Sequence, residues 1–174
     1  MASRNAAKTI SYVSGMDVYP FEQFDLQYNR PDKVLAAIGK ASPTLIEAYH
    51  KAYLKRIKRA GIDSSQFLNE LEVPLAEITN QGQIEPEQTK NKLSLSIKGS
   101  DKKINLDRYN VWVNEVPVFG RTGKSVRNQK TKSISATVEL TLSEGRNRIE
   151  VSVMNMAGTE SYRMPLYVTG CRSM

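Results

Sequence analysis

The apolar residues of this chain change their repeat once, near Val73, and that change limits what it can fold into. Before it, Ile46, Tyr49, Tyr53 and Ile57 recur at spacings of three and four, one stripe along a helix. After it, Leu93, Leu95 and Ile97 alternate with Ser94, Ser96 and Lys98, the period of a half-buried strand. A side chain set for one period cannot serve the other, so helices and strands are segregated along the chain. The expected class is α+β, with a helical segment over 1–71 and an all-β domain over 72–170, followed by a tail over 171–174.

Within the first segment, residues 1–28 hold Tyr12, Tyr19, Phe21, Phe24 and Tyr28 without a sustained period. Such a stretch is expected to be ordered only against another surface. Pro31 suits the first position of a short helix and Gly39 its left-handed end. Ser42-Pro43 opens a longer helix and Gly61 closes it. The result is a helical hairpin with one apolar face and with Lys51, Lys55, Lys58 and Arg59 around the remainder.

In the second segment the alternating runs are Val111 and Val113, then Val116-Pro117-Val118, then Ile134, Ala136, Val138, Leu140 and Leu142. Ile149, Val151 and Val153 follow, and Tyr162, Met164, Leu166 and Val168 close the series. Turn residues separate them: Gly99-Ser100-Asp101, Gly120, Gly123, Ser143-Glu144-Gly145 and Ala157-Gly158. With a strand near Leu75 to Thr79, about seven short antiparallel strands fall within roughly 100 residues, the count of an immunoglobulin- or fibronectin-like sandwich. The Cys…Trp…Cys spacing of antibody domains is absent, so the likeness is one of architecture.

Cys171 is the only cysteine among the 174 residues, so no disulfide can form within the chain and its core alone must hold it. The formal net charge is +7, with +3 before Leu71 and +4 from there on. An excess spread so evenly argues against nucleic-acid binding, which clusters its charge and adds aromatic platforms. No apolar run is long enough to span a bilayer, and Met1-Ala2-Ser3-Arg4-Asn5 lacks a signal-peptide core. Together with the lone cysteine, this favours a cytoplasmic location.

Candidate catalytic constellations fail one by one. His50, the only histidine, sits on a helix edge and Cys171 in the tail, which does not make the paired thiol and imidazole of a cysteine protease. A metal site would need further His or Cys ligands or an acidic loop of calcium-site spacing, so no cofactor is expected. Gly120-Arg121-Thr122-Gly123-Lys124-Ser125 ends like a P-loop but has two residues between its glycines where the motif needs four, and it joins strands. The expected enzymatic activity is none.

Contact residues are better candidates. Arg121, Lys124, Arg127, Lys130 and Lys132 form a basic stretch without an acidic residue. Its readings are a contact for an acidic protein face or a solvated loop that keeps strand edges apart. Trp112 lies on the face opposite Val111 and Val113, as a partner anchor or as packing. Asp107-Arg108 reads as a structural ion pair. Tyr49 and Tyr53, on the helical stripe, read as partner contacts or as core or interdomain packing.

Several strings resemble a known arrangement. They are Tyr19-Pro20-Phe21-Glu22-Gln23-Phe24-Asp25-Leu26 with Tyr28-Asn29-Arg30-Pro31-Asp32, and Glu47-Ala48-Tyr49-His50-Lys51-Ala52-Tyr53-Leu54-Lys55-Arg56. A third is Leu106-Asp107-Arg108-Tyr109-Asn110-Val111-Trp112-Val113-Asn114-Glu115-Val116-Pro117-Val118-Phe119-Gly120, continued by Leu142-Ser143-Glu144-Gly145-Arg146-Asn147-Arg148-Ile149-Glu150-Val151-Ser152-Val153. They resemble the region of large bacterial proteins that joins a WD-repeat β-propeller to a caspase-like peptidase domain. The resemblance spans about Val18 to Val168 and implies a bracket of helices and a sandwich spacer. It implies no catalytic residue, because no string here matches the peptidase motifs. The expected function is a non-catalytic structural and interaction module, a spacer or regulator whose partners are neighbouring domains or another protein chain. The alternative is a free-standing immunoglobulin-like domain that recognises a protein or surface ligand through its end loops.

Overall fold

The computed structural model describes residues 9–14, 16–62, 64–67 and 73–171. The expected boundary at 71/72, the opening residues read for a signal and the last three residues of the tail lie outside them. The chain forms two compact units, one of residues up to 72 with Met156–Thr159, the other of Val73–Asn155 with the residues from Glu160 on.

The first unit begins with a hairpin of β1 (Ser11–Ser14) and β2 (Asp17–Pro20). A 3-10 turn over Phe21–Phe24 and one helical turn, α1 (Asp25–Tyr28), follow. This differs from the expectation that the aromatic segment needs a foreign surface. Phe24 is 1% exposed because its own neighbours enclose it. Tyr12 and Tyr19 meet its ring edge-on at 5.6 and 6.0 Å, and Tyr28 lies 5.7 Å away. Edge-to-face packing of this kind adds to plain area burial.

Helices α2 (Pro31–Ile38) and α3 (Pro43–Ala60) start and stop where their residues require. Proline opens each, and Gly39 and Gly61 close them at φ 70° and 67°, in the left-handed region that a Cβ disfavours. The Ser42 hydroxyl accepts the Leu45 N–H at 3.3 Å. Only the C-terminal half of the α3 stripe is covered: Tyr53 and Ile57 are buried with Ile62, against Leu26, Ala60 and Phe67. Tyr49 and Leu54 stay exposed.

One buried charge organises this unit. Asp32 takes two hydrogen bonds from Arg30, at 2.8 and 2.6 Å, and faces His50 Nδ1 at 3.0 Å. The Arg30 guanidinium in turn lies 4.0 Å over the Tyr53 ring. The hydrogen bonds from Arg30 foremost, with His50 and the Lys33 N–H, hold the Asp32 carboxyl far below the usual carboxylate range, against the opposing effect of burial. A depressed folded pKa stabilises fully above the unfolded value, about 3.9, and that stabilisation drains away as pH falls through the folded pKa. Asp32→Asn is therefore expected to lower helical-unit stability at neutral pH by about 1.5 kcal/mol or more. Circular dichroism melts at 222 nm should show the gap from wild type narrowing steadily below pH about 4.

The second unit is an immunoglobulin/fibronectin-like sandwich, so the protein is α+β as its periodicities require. One sheet has the order β3-β5-β9, from β3 (Leu75–Ile78), β5 (Lys92–Ser100) and β9 (Ser133–Thr141). The other runs β4-β11-β10-β6-β7, from β4 (Glu87–Gln88), β6 (Leu106–Val113), β7 (Val116–Pro117), β10 (Gly145–Asn155) and β11 (Leu166–Gly170). The short β8 (Lys124–Ser125) pairs with β6 beside β7. All pairings are antiparallel except β4 on β11. The alternating residues meet between the sheets: Leu93, Leu95, Ile97, Ile134, Val138 and Leu140 from one, Val111, Ile149, Val151, Val153 and Val168 from the other.

Two strand expectations need correction. Val116-Pro117-Val118 contributes only the two paired residues of β7, and β11 begins at Leu166, later than the alternation from Tyr162 suggests. Pro165 precedes β11 and has no N–H to donate to a ladder. Before it, Glu160 and Ser161 touch the β10 edge only briefly, through a bridge between Met154 and Glu160 and the Ser161 N–H donated to the Val153 carbonyl at 2.8 Å.

Candidate partner-binding face

Strands β6 and β10 are neighbours, and their residues alternate between two destinations. Val111, Val151 and Val153 enter the core, which sends Arg108, Asn110 and Trp112 to the outer face opposite Met154, Ser152 and Glu150. The 160–163 segment closes over this row. Ser152 Oγ donates to the Glu160 carboxylate, and Arg163 holds the same oxygen at 2.8 and 3.1 Å. That ion pair places the Arg163 guanidinium 3.5 Å over the Trp112 ring, so the indole is half-buried and fixed in plane.

The opposite wall is the 119–123 turn. Asn110 is buried, and its Nδ2 donates to the Gly120 carbonyl at 2.8 Å while its Oδ1 accepts the Val111 N–H. Gly123 lies at φ 69°, and a Cβ there would stand 2.6 Å from the Tyr109 carbonyl oxygen, so only glycine lets the turn lie this close to β6. A cleft of about 100 Å³ remains between the walls, lined by Trp112, Arg108, Arg121, Ser152, Glu160 and Arg163 among others. Of its three guanidinium groups, Arg163 is paired with Glu160 and Arg108 with Asp107, so the cleft's positive excess rests on Arg121. Beyond it, Arg146 lies 4.2 Å over the ring of Tyr167, which is exposed, as are Tyr162 and Met164.

The basic stretch divides. Arg121 lines the cleft with Trp112, and Lys124 sits on β8 with Nζ 5.8 Å from the Phe119 ring. Arg127 is a structural residue: its Nε donates at 2.7 Å to Asp107, which is 1% exposed and also held by Arg108 at 2.6 Å. The Asp107-Arg108 pair is thus formed as the sequence suggests, with a second arginine that it does not reveal. Lys130, at φ 47°, and Lys132 are exposed on the way into β9. In the helical unit Tyr49 is exposed, whereas Tyr53 is 6% exposed and covered by Arg30, which removes it as a contact residue.

The reactive side chains are also accounted for. His50 faces Asp32, and Cys171 Sγ donates to the Thr89 carbonyl at 3.0 Å. Among the described residues no group of three His, Cys, Asp or Glu could hold a metal, and no helix is long and apolar enough to cross a membrane. Sequence reasoning missed Arg163, Glu160, Ser152 and Asn110. The parity of β10 was the available signal for Ser152. Nothing local marks Arg163, because its partner Trp112 lies far away along the chain.

No family model matches this chain, and no curated protein matches it. Solved structures similar to it include the fibronectin(III)-like modules of CbhA from Clostridium thermocellum, with a TM-score of 0.43 and 16% identity. That likeness covers 59% of this chain and 50% of the other. A chitin binding domain from Burkholderia pseudomallei is also similar, with a TM-score of 0.34 and 9% identity over 55% of this chain and 61% of that one. The chain therefore spans about half to three fifths of the length of these solved chains.

Proposed function

We propose that this chain is a non-catalytic structural and interaction module, working as an interdomain piece of a larger protein that couples a WD-repeat propeller to a caspase-like peptidase. The observation that carries the reading is the outer face of the larger sheet. A tryptophan held in plane by Arg163, beside Arg121 and Arg108 in a cationic cleft, has the composition of an interaction anchor. The charge selects an acidic protein surface as its partner. A rigid sandwich behind that face would fix the separation of neighbouring domains better than a flexible linker.

Native size tests the placement. Immunoblotting of source lysate against this chain is expected to show a band several times larger than 19.5 kDa. A single band near 19.5 kDa would leave a free-standing immunoglobulin-like binding domain as the better reading. The face itself has a built-in reporter, because Trp112 is the chain's only tryptophan. Arg163→Ala is expected to red-shift its emission by opening the indole to water while costing only about 1 kcal/mol of stability. An unchanged spectrum would mean that Arg163 does not cover the ring in solution.

A further inference from the structure

The second surface of interest is the free edge of β9. Asp101 N–H donates to the Lys132 carbonyl at 2.8 Å and Leu142 N–H to the Asn91 carbonyl at 2.7 Å, both on extensions of the β5–β9 ladder. Even-numbered residues of β9 therefore turn their backbone groups toward β5, and odd-numbered ones turn theirs to the outer edge. Ser133 is closed off there by Thr131, whose hydroxyl donates to its carbonyl at 2.8 Å and accepts its N–H at 3.2 Å. Ser135, Thr137, Glu139 and Thr141 present theirs to an edge against which no described strand lies.

Edges of this length are ordinarily blunted by lysines, prolines or bulges. β9 has none of these: its nine residues pair with β5 in unbroken register, and Glu139 is its one charge. A depression of about 400 Å³ lies along the same edge, lined by Val113, Val116, Val118 and Leu140 together with polar residues that include Asn114 and Glu139. Val116 is 66% exposed.

We propose that the chain dimerises through this edge, β9 pairing antiparallel with β9 of a second copy about a two-fold axis at Thr137. The odd residues then form the hydrogen-bonded pairs: Thr137 with the partner's Thr137, and Ser135 with the partner's Glu139. Charge selects both this occupant and this register. Within one copy Ser94 is opposite Glu139 and Lys98 opposite Ser135. Across the joined sheets each row reads Ser94, Glu139, the partner's Ser135, the partner's Lys98. Glu139 thus stands two strand spacings, about 10 Å, from the partner's Lys98, with only a serine between them. Among the described residues Glu139 has no ion partner within its own copy, and Lys98 forms no ion pair either, although Glu77 stands opposite it on β3. An axis at Glu139 would set two carboxylates face to face, and one at Ser135 would run into the Thr131 cap. The proposal does not depend on the Trp112 face.

Sedimentation equilibrium of the full chain from micromolar to millimolar concentration tests it. The expected result is a reversible species of twice 19.5 kDa. Thr137→Lys, at an exposed position, should weaken it about tenfold or more by opposing two ammonium groups at the axis. Glu139→Lys and Lys98→Glu should each weaken it, and their combination should restore it. Amide exchange at 135, 137 and 139 should slow as concentration rises, while unchanged Trp112 emission certifies the fold of each variant. A monomer throughout overturns the proposal, even one whose β9 edge captures unrelated extended peptides. So does a dimer indifferent to Thr137→Lys and to the charge swap.

Discussion

Replacing Asn147 with leucine is expected to destabilise the sandwich by about 3 kcal/mol or more, although the two side chains share one branching pattern. Asn147 is fully buried, at 0% exposure, and every polar atom of its amide is used. Nδ2 donates to the carbonyls of Ser143 at 2.7 Å and Gly145 at 2.9 Å. Oδ1 accepts the Ser143 N–H at 2.9 Å and the Asn114 side chain at 3.1 Å. This one amide closes the β9–β10 turn and ties it to the β6–β7 turn, where Asn114 Oδ1 also receives the Arg148 N–H at 2.9 Å. Leucine would strip the Ser143 N–H and the Ser143 and Gly145 carbonyls of this partner, and each of them that water does not reach costs about 1–3 kcal/mol. Urea unfolding followed by Trp112 emission measures the loss in the sandwich alone. Asn147→Asp should cost at least as much, because it buries a carboxylate oxygen against the Ser143 and Gly145 carbonyls. A loss below about 1 kcal/mol for leucine would mean that water replaces the amide.

Asp107→Ala is expected to cost about 3 kcal/mol and to loosen the basic stretch. The carboxylate, 1% exposed, holds Arg108 and Arg127, whose side chains are 21% and 39% exposed. Because both arginines can reach water when released, the cost should sit at the low end for a broken buried pair. The same residue's backbone carbonyl accepts the Val126 N–H at 2.8 Å and survives the substitution, so what is lost is the side-chain tether on the Arg127–Gln129 turn. Arg127→Ala should be milder, since Arg108 still pairs with the carboxylate. Limited trypsin digestion supplies the second measurement. Cleavage after Arg121, Lys124 and Lys130 should accelerate in Asp107→Ala well before global unfolding. An unchanged cleavage pattern would mean that the stretch is held by its backbone bonds alone.

The sequence by itself determined the elements and their faces. The period of two sends Leu93, Leu95 and Ile97 inward because successive strand side chains must point oppositely, whatever lies across from them. Pro31, Ser42-Pro43, Gly39 and Gly61 mark helix ends through constraints that act within a few residues. Trp112 was legible as an outward residue for the same reason. What covers it was not: Arg163 reaches it through a pairing with Glu160 that exists only once β10 and the 160–163 segment are neighbours. Arg127 read as one more solvated charge until the fold set it beside Asp107. Tyr53 read equally as a partner contact or as packing until Arg30, fixed by Asp32, lay across it. The open edge of β9 likewise belongs to the sheet order, because a strand's composition states which face it buries but not how many neighbours it has. Local patterns specify direction, whereas ion pairs, caps over aromatic rings and free edges arise between residues distant along the chain. Only the tertiary structure decides those.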